Sequence, residues 1–246
     1  MPYLVQKKTK ELSNDEKWQL ITLLKRFYTG TNQRFIDARV SNSCTFDIVL
    51  VKNKGVLLGA SYYKVGRLKT PFFKKEIPVI QFGQALKNEF YKDGIVQRSG
   101  CWYAKKNIGK LYLLKRAVGL SMIGNPRVFE RFTKIFKMHY PNLHDDVRGK
   151  KVPIANLLQN VYGESGVELH FDTHYCFTKM DFEPIDITND WEKYYRSKDE
   201  SINQFFIDKK IILFKGDRIY DNNIALIACG YRNPYSFKKV QLQKEI

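Results

Sequence analysis

The sequence lacks the features of a secreted or membrane-spanning chain. No apolar run approaches the ~20 residues of a membrane helix, and the richest run, Ile224 to Cys229, has only six residues. The first residues, Met1 to Gln6, contain no apolar stretch of the kind that forms a signal peptide. The sequence therefore predicts a chain that does not span a membrane and that resides in the cytoplasm.

Cysteine and histidine are also scarce. The four cysteines, Cys44, Cys101, Cys176 and Cys229, are far apart and include no CxxC pair. This spacing favours reduced thiols and argues against a disulfide framework or a zinc cluster. We therefore expect no bound metal.

What the sequence does contain is the composition of a folded protein. Its 246 residues are 43% hydrophobic and 14% aromatic, which excludes a disordered chain and allows one large domain or two small ones. Because no internal repeat or linker is evident, we predict a single α/β domain with a mixed sheet. Residues 1–150 would form its core, and strands and a helix within 151–246 would complete it; a boundary near residue 150 is the alternative.

Charge is distributed unevenly along the chain. The formal net charge is +17, and residues 52–151 carry +16 whereas residues 152–200 carry −6. Lysine and arginine supply sequence-independent contacts to phosphates, so the basic middle favours an anionic ligand. The acidic segment behind it would offer carboxylates to a cationic group, although an unevenly charged soluble surface is the simpler alternative.

The N-terminal residues contain clear helix signals. Ser13 and Glu16 form a capping box, which predicts that a helix starts there, and Gly30 is its expected end. A second short helix is predicted over residues 31–40.

From residue 46 to residue 140 the pattern alternates between strands, turns and helices. The predicted strands are residues 46–51, 56–63, 77–82, 94–103 and 120–123. The predicted helices are residues 111–118 and 126 to about 139, the second opening on Pro126. The predicted connections are the tight turn at 52–55, a basic surface loop at 66–76, a polar turn at 104–110 and a turn at 124–126.

The C-terminal third shows one long alternation, from Gly166 to Phe182, which predicts a single strand with an apolar core face and a polar solvent face. The residues of the apolar face are Val167, Leu169, Phe171, Tyr175 and Phe177. The residues of the polar face are Glu168, His170, Asp172 and His174. A helix over residues 202–209 and closing strands over 211–214 and 224–230 are predicted to follow.

This order of elements resembles the GCN5-related N-acyltransferase (GNAT) fold over residues 3–140. In that family the loop after the fourth strand carries the pattern Gln/Arg-x-x-Gly-x-Gly/Ala, and its backbone N–H groups at a helix N-terminus hold the pyrophosphate of coenzyme A (CoA). Here residues 106–111, Lys-Asn-Ile-Gly-Lys-Leu, match at the first glycine only. The resemblance implies an acyl-CoA-binding core in residues 1–150, with acetyl-CoA or another acyl-CoA as co-substrate.

The resemblance also implies a set of candidate CoA contacts. These are Lys105, Lys106, Asn107, Gly109, Lys110 and Asn125. Even without the family, a lysine-rich loop with one glycine before a helix suits a polyphosphate, although a plain solvated turn is the alternative. We expect Gly109 and Asn125 to lie together at one end of the sheet.

A proton donor that the family often uses is missing from its usual place. Asn125 matches the family's asparagine after the fifth strand, and the tyrosine that often stands seven residues further on is Phe132 here. A phenyl ring cannot donate a proton, so the resemblance leaves Tyr140, Tyr103 or solvent to protonate the departing thiolate. The helix around Phe132 also fits an ordinary amphipathic element.

His170, Asp172 and His174 form the sharpest local group of polar residues. Residues two apart on a strand project from the same face, so these side chains would meet a substrate together. In an acyltransferase Asp172 or Glu168 would attract a cationic amine, and His170 or a carboxylate, directly or through water, would remove its proton. A metal site and a solvated polar face are the alternatives. Cys101, within a predicted strand, is expected to be a small buried side chain rather than a covalent nucleophile.

The predicted function is acyl transfer from acyl-CoA to an amine acceptor, which would be a small molecule or a peptide. The alternative from a different class is a nucleic-acid-binding protein that combines the basic middle of the chain with aromatic side chains for stacking. Those aromatic residues are Tyr62, Tyr63, Phe72, Phe73, Tyr91, Trp102 and Tyr103. A metal-dependent enzyme centred on His170 to His174 is the third interpretation.

Overall fold

The fold is seen in a computed structural model that describes residues 2–28, 33–42, 44–70, 73–88, 94–112, 115–144, 151–152, 154–163 and 166–232. Phe72, Tyr91, the side chain of Phe73 and the alternative boundary near residue 150 lie outside what the structure describes.

The chain alternates strands and helices in a mixed α/β fold. The α-helices are α1 (Asn14–Phe27), α2 (Gln33–Val40), α3 (Ile95–Ile108), α4 (Pro126–Ile135), α5 (Ala155–Tyr162) and α6 (Glu200–Asp208). The first strands are β1 (Tyr3–Lys7), β2 (Asp47–Asn53), β3 (Val56–Thr70), β4 (Phe73–Lys87), β5 (Ala117–Ile123) and β6 (Met138–Tyr140). The later strands are β7 (His170–Asp172), β8 (Tyr175–Lys179), β9 (Ile185–Asp186), β10 (Ile212–Lys215), β11 (Arg218–Asp221) and β12 (Ile224–Arg232). None of the described helices is both long and apolar enough to cross a membrane.

The chain divides into two compact units, of which the first comprises Met1–Gly66, Ile80–Tyr112 and Asp181–Glu183. Its strands follow the order β1-β2-β3-β4, and β2 is antiparallel to both β1 and β3. Helix α3 contacts β2, and the stacked rings of Tyr63 and Tyr103 lie in the core, with centroids 4.9 Å apart. These contacts fix α3 on the sheet of this unit.

The second unit comprises Arg67–Val79, Leu113–Met180 and Pro184–Ile246. Strand β12 is its centre, because it pairs antiparallel with β5, β6 and β8, and β8 in turn pairs with β7. A small antiparallel sheet of order β10-β11-β9 belongs to the same unit. Helix α5, which the sequence pattern does not predict, contributes Leu157, Leu158 and Val161 to the core. The sequence-based division at residue 150 stays a prediction.

Several local signals predict the elements correctly. The Ser13 hydroxyl accepts a hydrogen bond from the Glu16 N–H at 3.2 Å, and the Glu16 carboxylate accepts one from the Ser13 N–H at 2.9 Å. The predicted capping box at the start of α1 is therefore confirmed. The hairpin of β2 and β3 is also confirmed, with positive φ values of 47° at Lys54 and 83° at Gly55 in its turn.

The region before β5 differs from its prediction. Residues 94–103 are not a strand but the first part of α3, and residues 117–118, predicted as helical, belong to β5. The buried residues Ile95, Ser99 and Tyr103 are four apart, which is the spacing of a helix face. The β-branched and aromatic side chains of this segment favour a strand locally, so tertiary packing overrides that preference.

The predicted basic loop at residues 66–76 is also wrong. Strand β3 continues to Thr70, and β4 begins at Phe73. Leu68 and Thr70 are more buried than Arg67 and Lys69, with which they alternate, as expected for a strand with one covered face. Arg67, Lys69 and Lys75 therefore project from strands.

The single strand predicted from Gly166 to Phe182 is a hairpin of two short strands. Thr173 and His174 form the turn between β7 and β8, and Asp172 faces Tyr175 across the pair. The turn reverses the alternation, so Phe171 shares a face with Cys176, its partner across the hairpin, and not with Tyr175 and Phe177. Cys176 is fully buried, whereas Phe171, on the exposed strand β7, is 43% exposed. The predicted helix after Pro126 also ends early, at Ile135, and His139 lies in β6.

Candidate functional site

The lysines predicted to contact CoA lie at the C-terminal end of α3. Lys105 and Lys106 belong to its last turn, and Gly109 ends the helix with a φ of 116°. Cationic side chains stabilise the partial negative charge at a helix C-terminus. The expectation that these lysines precede a helix is therefore wrong, and their contact with CoA stays a prediction.

Two of the neighbouring groups already have partners. The Asn107 amide donates hydrogen bonds to the Gln6 side chain at 3.3 Å and to the Tyr103 carbonyl at 2.9 Å. The Lys106 ammonium lies 5.0 Å from the centre of the Trp102 ring. Cys101, also on α3, is exposed, so its predicted burial is wrong.

The arrangement predicted at Gly109, a glycine directly before a helix, is found at the N-terminus of α3. It follows β4, and Gly94 at the N-cap position supplies no side-chain hydrogen bond to the first turn. The first N–H groups of a helix have no partner within the helix, and they suit an anion. Among the described residues, a Cβ atom added at Gly94 would meet only Gln97, at 4.0 Å.

Asn125 caps the first turn of α4. Its side-chain oxygen accepts a hydrogen bond from the Val128 N–H at 3.1 Å, and its amide donates to the Tyr194 carbonyl at 3.2 Å. Arg127 donates to the carbonyls of residues 192, 193 and 196. These contacts join the start of α4 to the π-helix Trp191–Tyr195. Asn125 and Gly109 belong to different compact units, and their expected proximity stays a prediction.

The predicted catalytic residues His170 and Asp172 are both on the exposed strand β7. The Lys209 ammonium lies 2.6 Å from the Asp172 carboxylate, and its hydrogen bond lowers the pKa of that carboxyl. His170 lies 3.7 Å from the Glu168 carboxylate, and both side chains are exposed. Within the described residues, no group of three or more His, Cys, Asp or Glu side chains is arranged to hold a metal ion.

The two tyrosines considered as proton donors are buried and hydrogen-bonded. The Tyr140 hydroxyl donates to the His174 carbonyl, and burial raises the pKa of Tyr140. The Tyr103 hydroxyl donates to the Asp47 carboxylate at 2.5 Å, and burial together with this bond raises the pKa of Tyr103. A raised pKa makes a phenol a weaker acid. The catalytic roles of His170, Asp172 and Tyr140 stay predictions.

Asp221 is an ionisable group that the sequence analysis does not single out. It ends β11, is 5% exposed, and accepts a hydrogen bond from the Asn223 N–H at 3.3 Å. Burial raises its pKa to about 7, although hydrogen bonds from Asn223 and Tyr195 act in the opposite direction. A Cβ atom at Gly124 would lie 3.7 Å from both carboxylate oxygens. Asp221 therefore lies beside the residue that precedes Asn125, and in the sequence it resembles an ordinary Asp-Asn turn.

Comparison with known proteins identifies similar structures only. No family model and no curated protein sequence matches the chain. The aminoglycoside N-acetyltransferase AAC(6')-Iy in complex with CoA is 12% identical, with a TM-score of 0.36 over 55% of this chain and 86% of that one. The histone acetyltransferase HPA2 and related acetyltransferase from Corynebacterium glutamicum is 9% identical, with a TM-score of 0.36 over 59% and 90% of the two chains. The loading GNATL domain of CurA from Lyngbya majuscula is 12% identical, with a TM-score of 0.35 over 94% and 97%.

The order of the elements defines the class of fold. From β1 to α4 the chain forms a strand, two α-helices, three consecutive strands, a helix, a strand and a helix. The chain thus has a GNAT-like α/β fold, with a C-terminal third that adds further strands and helices. In this order β4 is the fourth strand and α3 follows it. The element before residues 106–111 is therefore a helix and not the predicted strand.

Proposed function

We propose that this chain is an acyl-CoA-dependent N-acyltransferase, which transfers the acyl group of acetyl-CoA or another acyl-CoA to an amine. The observation that supports the proposal is the N-terminus of α3, which follows the fourth strand and has no side-chain cap. In a GNAT-like fold this is where the pyrophosphate of CoA binds. Its phosphate oxygens would accept hydrogen bonds from the N–H groups of Ile95, Val96 and Gln97.

The reaction needs a deprotonated amine and a route for one proton. The amine nitrogen attacks the thioester carbon, the carbon–sulfur bond breaks, and CoA leaves as a thiolate that takes up a proton. His170 and Asp172 are the predicted groups for amine binding and deprotonation, and Tyr140 is the predicted donor to the thiolate. Asp221 is an additional candidate, because a pKa near 7 suits a group that exchanges protons at neutral pH.

Substitutions at Gly94 test the CoA site directly. Gly94 has a negative φ of −69°, and a Cβ atom added there would meet only Gln97 among the described residues, so the fold should accept a side chain there. Asp and Asn are similar in shape and both cap helices, but only Asp brings a negative charge to the first turn. We expect Gly94→Asp to bind CoA at least tenfold more weakly than Gly94→Asn in a calorimetric titration, with both variants at least as stable as the parent chain.

A second pair of substitutions tests the predicted lysine contacts. If Lys106→Ala/Lys110→Ala weakens CoA binding while Gly94→Asp does not, the phosphates bind at the C-terminal end of α3 and the proposed site is wrong. If both Gly94 variants and the double lysine variant bind CoA as tightly as the parent chain does, both sites are excluded. If the parent chain binds no CoA but is stabilised by single-stranded nucleic acid, with a steep salt dependence, the nucleic-acid alternative replaces the acyltransferase proposal.

A further inference from the structure

Arg39, on α2 in the first unit, is a half-buried cation. Among the described residues, no Asp or Glu oxygen lies within the 4.0 Å of an ion pair from its guanidinium. The half-buried lysines of the same unit are different, because Lys7 and Lys52 contact the Glu16 carboxylate at 2.7 and 3.0 Å. Placing a charge away from water without a counter-ion is unfavourable, so an unpaired arginine requires an explanation.

The guanidinium of Arg39 is held in one orientation by neutral groups. Its Cζ atom lies over the Phe35 ring, 3.4 Å from the ring centre, and its Nη1 donates to the Phe35 carbonyl at 2.9 Å. Its Nε donates to the Gln84 side-chain oxygen. These contacts engage Nε and Nη1, and the Nη2 group has no hydrogen-bond partner among the described residues.

Aromatic side chains surround this position. The rings of Tyr28, Phe35 and Phe182 lie 5.1 to 5.7 Å from one another, and the Tyr62 hydroxyl donates to the Arg39 carbonyl at 3.3 Å. Burial among these groups lowers the pKa of Arg39 from its usual value, as expected for a cation without a close counter-ion. The Asp181 carboxylate acts on Arg39 through space and favours its charged form.

We propose that Arg39 binds the carboxylate of the acyl acceptor, so that the acceptor is an amine with a free carboxylate, such as an amino acid or the C-terminal residue of a short peptide. This inference rests on the proposed acyltransferase function. A planar carboxylate matches the donor geometry of a guanidinium, and a single negative charge matches the single cation. Asp181 would favour the ammonium group of the same acceptor.

The test compares free acids with their amides on the intact parent chain. Free amino acids and dipeptides, each paired with its C-terminal carboxamide, are titrated into the chain and binding is measured by calorimetry. The amide differs from the acid mainly in charge, so the comparison does not depend on any substitution. We expect at least tenfold tighter binding of the acids. Equal binding of acids and amides, or no binding of any acid, would overturn the proposal.

Two substitutions on α2 show whether Arg39 causes this preference. Arg39→Gln should remove the preference for acids, and Arg39→Lys, which keeps the charge but not the planar donor group, should retain part of it. Arg34→Gln is the matched control, because Arg34 lies on the exposed side of the same helix. If Arg39→Gln is folded and keeps the preference, the carboxylate binds elsewhere and the assignment to Arg39 is wrong.

Release of CoA from acetyl-CoA in the presence of the same compounds separates this inference from the proposed function. An Arg39-dependent preference for acids without any CoA release would contradict the acyltransferase function and leave the carboxylate site in place. CoA release that is as fast with amides as with acids would support acyl transfer and contradict the role of Arg39.

Discussion

At the scale of single residues, burial makes the charge of Asp221 dependent on pH near neutrality. Its pKa rises from 3.8 to about 7 in the folded chain, so the folded state binds the proton more tightly than the unfolded state does. The resulting stabilisation is fully present below pH 3.8 and is lost as the pH rises through about 7. At about 1.4 kcal/mol for each pKa unit, the free energy of unfolding falls by on the order of 4 kcal/mol over this range.

Asp221→Asn should remove this dependence. The amide oxygen can still accept the hydrogen bond from the Asn223 N–H, but it cannot ionise, so the variant should be more stable than the parent chain at pH 8. The measurement is urea unfolding at pH 5 and pH 8, with Asp217→Asn in the exposed turn before β11 as the control. If the free energy of unfolding changes with pH in the same way for Asp221→Asn and the parent chain, ionisation of Asp221 does not destabilise the folded state.

Asp172 offers a second test at this scale, since its ion pair with Lys209 joins β7 to the end of α6. If Asp172 attracts the amine, Asp172→Asn should keep the CoA affinity of the parent chain and lose acyl transfer. The ion pair is partly exposed, so its loss should change the free energy of unfolding by only about 0.5 kcal/mol.

Lys209→Met is the matched control for this substitution. It breaks the same ion pair but leaves the carboxylate, so it separates the loss of the pair from the loss of the charge. Unchanged turnover in Asp172→Asn, measured with an acceptor that the parent chain acylates, would mean that β7 lies outside the active site.

At the scale of elements, one carboxylate joins α1 to two strands. Glu16 accepts hydrogen bonds from the Ser13 N–H, from Lys7 on β1 and from Lys52 on β2. Burial by itself would raise the pKa of Glu16, but these hydrogen bonds outweigh it and lower the pKa to about 2. The stabilisation from this charge is therefore present above pH 4.5 and is lost as the pH falls through about 2.

Glu16→Gln should keep the shape of the capping box and remove the partner of two lysines. We expect it to lower the free energy of unfolding by about 2–3 kcal/mol at pH 7, and the difference should shrink as the pH falls below 4. Chemical unfolding at several pH values measures this, with Asp15→Asn on the exposed side of α1 as the control. A loss below 0.5 kcal/mol at pH 7 would mean that the lysines find other partners.

The same element shows how far the sequence predicts the structure. The Ser13 to Glu16 spacing predicts the cap, because both partners lie within one helical turn. The contacts of Glu16 with Lys7 and Lys52 depend on the packing of α1 against β1 and β2, which no local pattern encodes. Helix α3 is wrongly predicted for a similar reason, since buried contacts such as Tyr103 with Asp47 stabilise a helix whose side chains favour a strand.

At the scale of the whole molecule, the order of the elements is easier to predict than the position of the site. Caps, tight turns and the Asn125-Pro126 helix start are local, and together they indicate a GNAT-like chain even where individual elements are wrong. The candidate site depends on which loop precedes which helix. The strand wrongly predicted at residues 94–103 therefore leads the sequence-based prediction to Lys105–Lys110, whereas the site that we propose from the fold is the N-terminus of α3. Arg39 and Asp221 also depend on neighbours distant in sequence, such as Gln84 for Arg39 and Tyr195 for Asp221, and no spacing in the sequence reveals those contacts.

The glycine at the start of α3 has a consequence for how this chain balances stability against activity. Replacing a Ser, Asp or Asn at the N-cap position by alanine lowers the stability of a helix by about 1 kcal/mol. Replacing it by glycine lowers the stability by only about a few tenths of a kcal/mol. The conformation at Gly94 would accept such a side chain, so the chain forgoes an available gain in stability there. Selection for thermal stability alone would replace this glycine, and its persistence in thermostable variants of the chain would indicate that α3 begins at a position reserved for a ligand.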